Sequence, residues 1–80
     1  MATTMLRLPA VQSASGLRRS TIYLQISEGL LPRPVKLGPR AVAWPESEIA
    51  AVLDARIAGK NDEEIRGLVK KLEAMRRKVA

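Results

Sequence analysis

Cysteine and histidine are both absent from the sequence. Without cysteine the chain can form neither a disulfide nor a thiolate metal site. Without histidine it also lacks the commonest general base and the commonest metal ligand. The acidic residues alternate with basic ones on predicted helix surfaces, and no pair of carboxylates converges. We therefore expect no catalytic residue, no metal site and no cofactor, and we expect that the protein is not an enzyme.

Long apolar runs are also missing. No stretch approaches the roughly 20 apolar residues that a membrane helix requires, and residues 1–8 lack the apolar run of a signal peptide. We therefore expect a cytoplasmic protein with no membrane partner. A chain of 80 residues forms one domain at most, and its core is small.

Acidic residues are few relative to basic ones. Fourteen lysines and arginines stand against eight acids, which gives a net charge of +6 and an isoelectric point near 10.6. Residues 1–59 and residues 60–80 each carry seven bases and four acids, so each part has a charge of +3. This charge favours a polyanionic partner, nucleic acid first, over a surface charge that serves solubility alone. The helix-turn-helix predicted below makes double-stranded DNA the expected partner.

Two short helices separated by a glycine are predicted near the start of the chain. The first covers residues 8–15, because it opens with a proline, which a first turn tolerates, and Gly16 can end it. The second covers residues 19–28, with Ile22 and Ile26 one turn apart on its apolar side. Two helices joined by such a turn form a helix-turn-helix unit.

The middle of the chain predicts a β-hairpin and a third helix. Residues 35–37 and 41–44 read as two strands around a Gly-Pro-Arg turn, with one face of the hairpin inward. Pro45 and two carboxylates then start a helix that ends near Gly59. Its predicted apolar stripe consists of Ile49, Val52, Leu53 and Ile57. Residues 1–5 are predicted to be a loose polar lead.

The last segment predicts a fourth helix. Asn61 and Glu64 have the spacing of a capping box. The apolar residues that follow have the spacing of a heptad seam and form a possible surface for a second copy or a protein partner: Ile65, Leu68, Leu72, Met75 and Val79. The flanking positions of a symmetric coiled coil would be Val69, Lys71, Arg76 and Lys78, which brings like charges together. We therefore favour docking on the domain itself or on another surface of a partner, with dimerisation left open.

The expected fold is mainly α with a small β-hairpin: a winged helix-turn-helix over residues 1–59, then a basic amphipathic helix over residues 60–80. The segments LRLP (6–9), GLRRSTIY (16–23), PRPVKLGPR (32–40) and WPESEI (44–49) together resemble the AlpA family of prophage regulators, which is related to excisionase-like and MerR-like proteins. The segment GLLP (29–32) is also similar to the one that follows the recognition helix in MerR-type domains.

The resemblance implies a DNA-binding domain, usually encoded by a phage or prophage. Its members regulate transcription or act as excisionases that bend DNA. The chain departs from the family at Arg18, where a serine or threonine usually caps the recognition helix, and at Leu24, where the residue is more often basic. Residues 60–80 lie outside the resemblance.

Eight residues are predicted to contact DNA: Arg18, Arg19, Ser20, Thr21, Tyr23, Arg33, Lys36 and Arg40. The first five start the second helix, the part that enters the major groove in helix-turn-helix proteins, and Lys36 and Arg40 lie on the hairpin. The alternative is that the cations are merely solvated, that Tyr23 packs, and that Thr21 supports the helix start. Trp44 is predicted to lie in the core and not to stack on bases.

Three functions are compatible with these residues. The first is a sequence-specific transcriptional regulator with its recognition helix in the major groove and its wing on the adjacent backbone. The second is an excisionase-type directionality factor that bends DNA for an integrase. The third is a protein-interaction module, such as an anti-repressor, that acts through the C-terminal helix.

Overall fold

The computed structural model describes residues 4–76 of the chain. Its elements follow in the order β1 (Met5–Leu6), α1 (Leu8–Ser15), α2 (Arg19–Ser27), β2 (Val35–Gly38), β3 (Ala41–Pro45), α3 (Glu46–Ile57) and α4 (Asp62–Met75). The helices and the antiparallel three-stranded sheet confirm the predicted fold class, a winged helix-turn-helix followed by a further helix. No helix in this part of the chain is both long and apolar enough to cross a membrane.

The turn between α1 and α2 depends on a glycine. Gly16 has a left-handed backbone with φ of 72°, and its N–H donates to the carbonyl of Gln12 over 2.8 Å. Residues with a Cβ rarely adopt this conformation, so glycine at this position ends α1 cleanly. α2 then begins at Arg19, so three residues separate it from the end of α1 at Ser15. This is the predicted helix-turn-helix.

The sheet contains one strand that the sequence did not predict. β3 lies between β1 and β2, and the pairing of β3 with β2 is the predicted hairpin. Residues 1–5 were expected to be loose, yet Met5 and Leu6 pair with Pro45 and Trp44. A strand of two residues has no periodicity of its own, and its partner lies far away in sequence. Local pattern therefore carries no sign of it.

Two apolar side chains expected to face inward are exposed. Ile57, predicted in the buried stripe of α3, is 84% exposed because the last turn of the helix extends past the core, whereas Ile49 and Val52 are buried. Leu37, on the hairpin face expected to point inward, is 53% exposed. Val35 on the same strand is half-buried, so the core covers the base of the hairpin and not its tip.

The core lies where the helices meet the sheet. Trp44 is its largest fully buried side chain, and the indole Nε1 donates to the carbonyl of Pro32 over 2.9 Å. This confirms the predicted core position of Trp44. The buried cluster consists of Val11, Ile22, Leu30, Leu31, Trp44, Ile49, Val52, Ile65 and Val69.

α4 docks on this same core. Its start has the predicted capping box, in which the Asn61 side chain accepts from the N–H of Glu64 and the Glu64 carboxylate accepts from the N–H of Asn61. Ile65 is fully buried and Val69 is 3% exposed, although Val69 was expected at a flank of the seam.

The side of α4 that faces the core differs from a heptad seam. Leu68 and Leu72 pack against the core, so the buried positions follow the i, i+3, i+4, i+7 spacing of a helix on a globular core. Met75, expected in the seam, is 49% exposed, and Val79 lies outside the described residues. Val69 is buried because the side of a helix that packs on a globular core is wider than the a/d seam of a coiled coil, and Met75 is the last residue of α4.

Candidate nucleic-acid interface

One side of α2 is open to solvent along the whole helix. Its exposed residues, which we call the outer face of α2, are Arg19, Ser20, Tyr23, Leu24 and Ser27. Tyr23 is 41% exposed and Leu24 is 56% exposed, while Ile22 on the opposite side is fully buried. Because 3.6 residues make one turn, positions i, i+1, i+4, i+5 and i+8 share one side of a helix. α2 thus packs by one side and presents the other.

Arg19 and Tyr23 interact on this outer face. The guanidinium carbon of Arg19 lies 5.8 Å from the centroid of the Tyr23 ring, within cation–π range. The two residues are at i and i+4, where side chains of one helix face meet, and both are exposed to solvent. Thr21, another predicted contact residue, is half-buried and lies at the edge of the outer face.

The start of α2 carries positive charge and has no side-chain cap. Arg18 holds the N-cap position, makes no capping hydrogen bond, and the first turn contains no acidic residue. By contrast, α3 and α4 both have acidic residues in their first turns. Arginines at the positive end of a helix dipole do not stabilise the helix. An anion placed there interacts favourably with the dipole and with the arginines. The departure of Arg18 from the family pattern therefore leaves the first N–H groups of α2 without a side-chain acceptor.

The hairpin presents two further cations. Lys36 in β2 is exposed and lies opposite Val42 of β3, and Arg40 is exposed in the turn between the two strands. A register shift lies between Lys36 and Gly38, next to this turn. Neither cation forms an ion pair with any acidic group of residues 4–76.

Ion pairing divides the cations of the described chain into two groups. Every ion pair within residues 4–76 has at least one partner in residues 60–76: Arg33–Glu73, Arg56–Asp62, Lys60–Glu64, Arg66–Glu63 and Arg76–Glu48. The four pairs other than Arg76–Glu48 are exposed and contribute little to stability, but all five cancel local charge. The described cations outside these pairs are Arg7, Arg18, Arg19, Lys36, Arg40, Lys70 and Lys71. The start of α2 and the wing therefore keep their positive potential.

Arg33 is one of the cations that form an ion pair. Its side chain is 76% exposed, yet a guanidinium nitrogen lies 3.6 Å from a carboxylate oxygen of Glu73. Of the eight residues that the sequence singled out, five lie at the start of α2 and two lie on the wing. Arg33 alone of the eight is paired with an acidic side chain in the described structure.

Sequence reasoning did not include two residues of the outer face. Leu24 and Ser27 follow Ser20 and Tyr23 by one helical turn each, and both are exposed. That spacing was available as a signal, but Leu24 replaces a residue that is more often basic in the family. Among residues 4–76, no three acidic side chains cluster as metal ligands would.

Comparisons with known proteins identify a family and a relative of this chain. The family model described as "Prophage CP4-57 regulatory protein (AlpA)" matches residues 4–57. A protein of Enterobacteria phage P4, described as "Uncharacterized protein ORF88", is 49% identical over 55 residues, which is 69% of this chain. The aligned part spans 62% of the length of that relative. The search of solved structures gave no significant match.

Proposed function

The chain belongs to the AlpA family of prophage regulatory proteins, and on this premise we propose that it is a sequence-specific DNA-binding transcriptional regulator. The single observation that carries the proposal is the outer face of α2, which is exposed along its length. Arg18 and Arg19 stand at the start of this helix, and neither pairs with an acidic group of residues 4–76. α2 is the second helix of a helix-turn-helix, the element that other proteins of this fold place in the major groove.

The outer face of α2 offers groups that suit base edges. A major groove about 12 Å wide admits one α-helix. Arg19 can donate two hydrogen bonds to a guanine, and its guanidinium carbon lies 5.8 Å from the centroid of the Tyr23 ring on the same face. Leu24 is an exposed apolar side chain on the same face, suited to the methyl group of a thymine. Ser20 can bond to a phosphate or to a base.

The remaining candidates suit the phosphate backbone. Arg18 stands beside the uncapped N–H groups of α2, an arrangement that attracts a phosphate. Lys36 and Arg40 extend from the wing and would contact the neighbouring backbone. Arg33 stays in the proposed set because most of its side chain is exposed, and Thr21 supports the start of α2 at the edge of the interface.

Chemical-shift mapping tests this assignment. The protein would be used to select duplexes from a random library, and the best duplex would be titrated into isotope-labelled protein. We expect the largest shifts at the backbone amides of residues 18–24 and 36–41, with small shifts along α3. Shifts confined to α4, or no binding to any duplex, would contradict the proposal.

The location of the selected sequence in the host or phage genome tests the regulatory role separately. Sites at promoters support transcriptional regulation. Sites concentrated in a recombination attachment region would assign the same DNA-binding surface to an excisionase role instead.

A further inference from the structure

Residues 28–34 join α2 to the wing, and side chains of α4 and its C-cap hold their backbone. The N–H of Arg33 donates to the Glu73 carboxylate over 2.8 Å. The carbonyl of Arg33 accepts from Nη2 of Arg76 over 2.7 Å. Both main-chain polar groups of Arg33 are therefore bound by residues that lie 40 and 43 positions further along the chain.

Arg76 also contacts the start of α3. Its Nε donates to the two carboxylate oxygens of Glu48 over 3.0 and 3.2 Å, and Glu48 is only 6% exposed. Hydrogen bonding to Glu48 raises the pKa of Arg76, so the guanidinium stays charged in this contact. One arginine thus joins the start of α3 to the segment that enters the wing.

Arg66 makes a third contact, at the end of α2. Its Nε donates to the carbonyl of Glu28, the C-cap of α2, over 2.8 Å. A cation at this end of a helix interacts favourably with the dipole and with the free carbonyls. Its stem lies close to Gly29, where an added Cβ would be 3.5 Å from the Arg66 Cγ.

These contacts place α4 against both ends of the connection between α2 and the wing. We propose that α4 is a brace that sets the position of the wing relative to α2, and that Arg76 is its principal positioning residue. The inference rests on the proposed function, because the wing needs a fixed position only if both elements bind one DNA duplex. Binding groups carried on two elements must be held to a fraction of an ångström by the residues behind them. α4 lies outside the family match, which ends at residue 57, so the family assignment itself gives this helix no role.

A cycle of variants tests the brace through the salt dependence of DNA binding. The slope of log Kd against log salt would be measured on the selected duplex for the wild type, Arg40→Ala, Arg76→Lys and the double variant. In the wild-type background, Arg40→Ala removes one phosphate contact and should reduce the slope by about 0.9. Lysine at position 76 keeps the charge, but it lacks the planar guanidinium by which arginine donates hydrogen bonds to the Glu48 carboxylate and the Arg33 carbonyl at once. In the Arg76→Lys background, Arg40→Ala should therefore leave the slope unchanged.

Lys71→Arg is the matched control. Lys71 is an exposed cation of α4 with no acidic partner among the described residues, so a conservative change there leaves the brace intact. In that background Arg40→Ala should reduce the slope as it does in the wild type. Circular dichroism would establish that each variant is folded at the assay temperature. If Arg76→Lys is not folded, Glu73→Ala replaces it, because this change removes the acceptor of the Arg33 N–H and leaves Arg76 bound to Glu48.

The outcomes separate the brace from the proposed function. An equal slope reduction by Arg40→Ala in both backgrounds would overturn the brace while DNA binding by α2 and the wing stands. No slope change by Arg40→Ala in the wild type would overturn the brace together with the wing contact. Failure of the wild type to bind any duplex would overturn the proposed function itself, and the brace with it.

Discussion

Replacing Trp44 with alanine is expected to destabilise the fold strongly. Trp44 is fully buried, and its indole donates to the carbonyl of Pro32. Truncation of a buried tryptophan to alanine costs about 3–5 kcal/mol. Stability of about 0.05–0.15 kcal/mol per residue gives a total of about 4–12 kcal/mol for a chain of this length. The substitution therefore removes between a quarter of the stability and all of it.

Trp44→Phe separates the hydrogen bond from the packing. Phenylalanine keeps an aromatic ring in the core but leaves the buried Pro32 carbonyl without its donor, a loss of about 1–3 kcal/mol. Urea unfolding followed by far-UV circular dichroism measures both variants, because the single tryptophan fluorophore is removed in each. We expect Trp44→Phe to be folded and to bind DNA as the wild type does. A Trp44→Ala protein with an unchanged urea midpoint but no DNA affinity would refute the core role and make Trp44 a contact residue.

Two further predictions concern Leu24 and α4. Replacing thymine by uracil in the selected duplex, one position at a time, removes the methyl group that Leu24 is proposed to contact. At one position or more this change should weaken binding by the wild type and leave binding by Leu24→Ala unchanged. Equal effects on both proteins would remove Leu24 from the interface. Deleting residues 60–80 removes Ile65 and Val69 from the core, and the burial of each is worth about 1.5–3 kcal/mol. The deletion should therefore lower the melting temperature equally at all protein concentrations. A wild-type melting temperature that rises with protein concentration would instead assign this helix to an interface between copies.

Local signals in the sequence were enough to predict most elements. A proline in the first turn of α1, the left-handed Gly16 and the capping box at Asn61 each act within a few residues of the structure they determine. The burial of Trp44 was predictable because the residue ends a strand and leads into the apolar stripe of α3. The proposed DNA-binding surface was predicted from the family resemblance together with the basic residues at the start of α2.

Contacts between distant residues could not be predicted in the same way. β1 forms only because Leu6 meets Trp44, and the two are far apart in the chain. Glu48 was interpreted as a surface carboxylate at a helix start, yet it is buried against Arg76. An acidic side chain in the first turn interacts favourably with the helix dipole whether it is exposed or buried. The local pattern therefore does not reveal that Glu48 is buried against a distant arginine.

The prediction of which side of α4 is buried was wrong for a related reason. Heptad spacing and helical spacing share positions 65, 68 and 72, and they differ only at Val69 and Met75. The choice between them depends on the surface that covers the helix, which here is the domain's own core. The pairing of Arg33 with Glu73 could not be predicted for the same reason, because it forms only when α4 has docked on the core.

The most direct test of the central claim compares Arg19→Ala with Lys60→Ala on two DNAs. Each variant loses one positive charge, but Arg19 lies on the outer face of α2 and Lys60 lies between α3 and α4. If Arg19 reads a base, its loss costs about 1–3 kcal/mol on the selected duplex, a Kd increase of about 5- to 150-fold, and much less on random duplex. Lys60→Ala should change both affinities slightly and equally. Equal losses on the two duplexes for Arg19→Ala would contradict sequence reading by α2 and leave Arg19 as a phosphate contact.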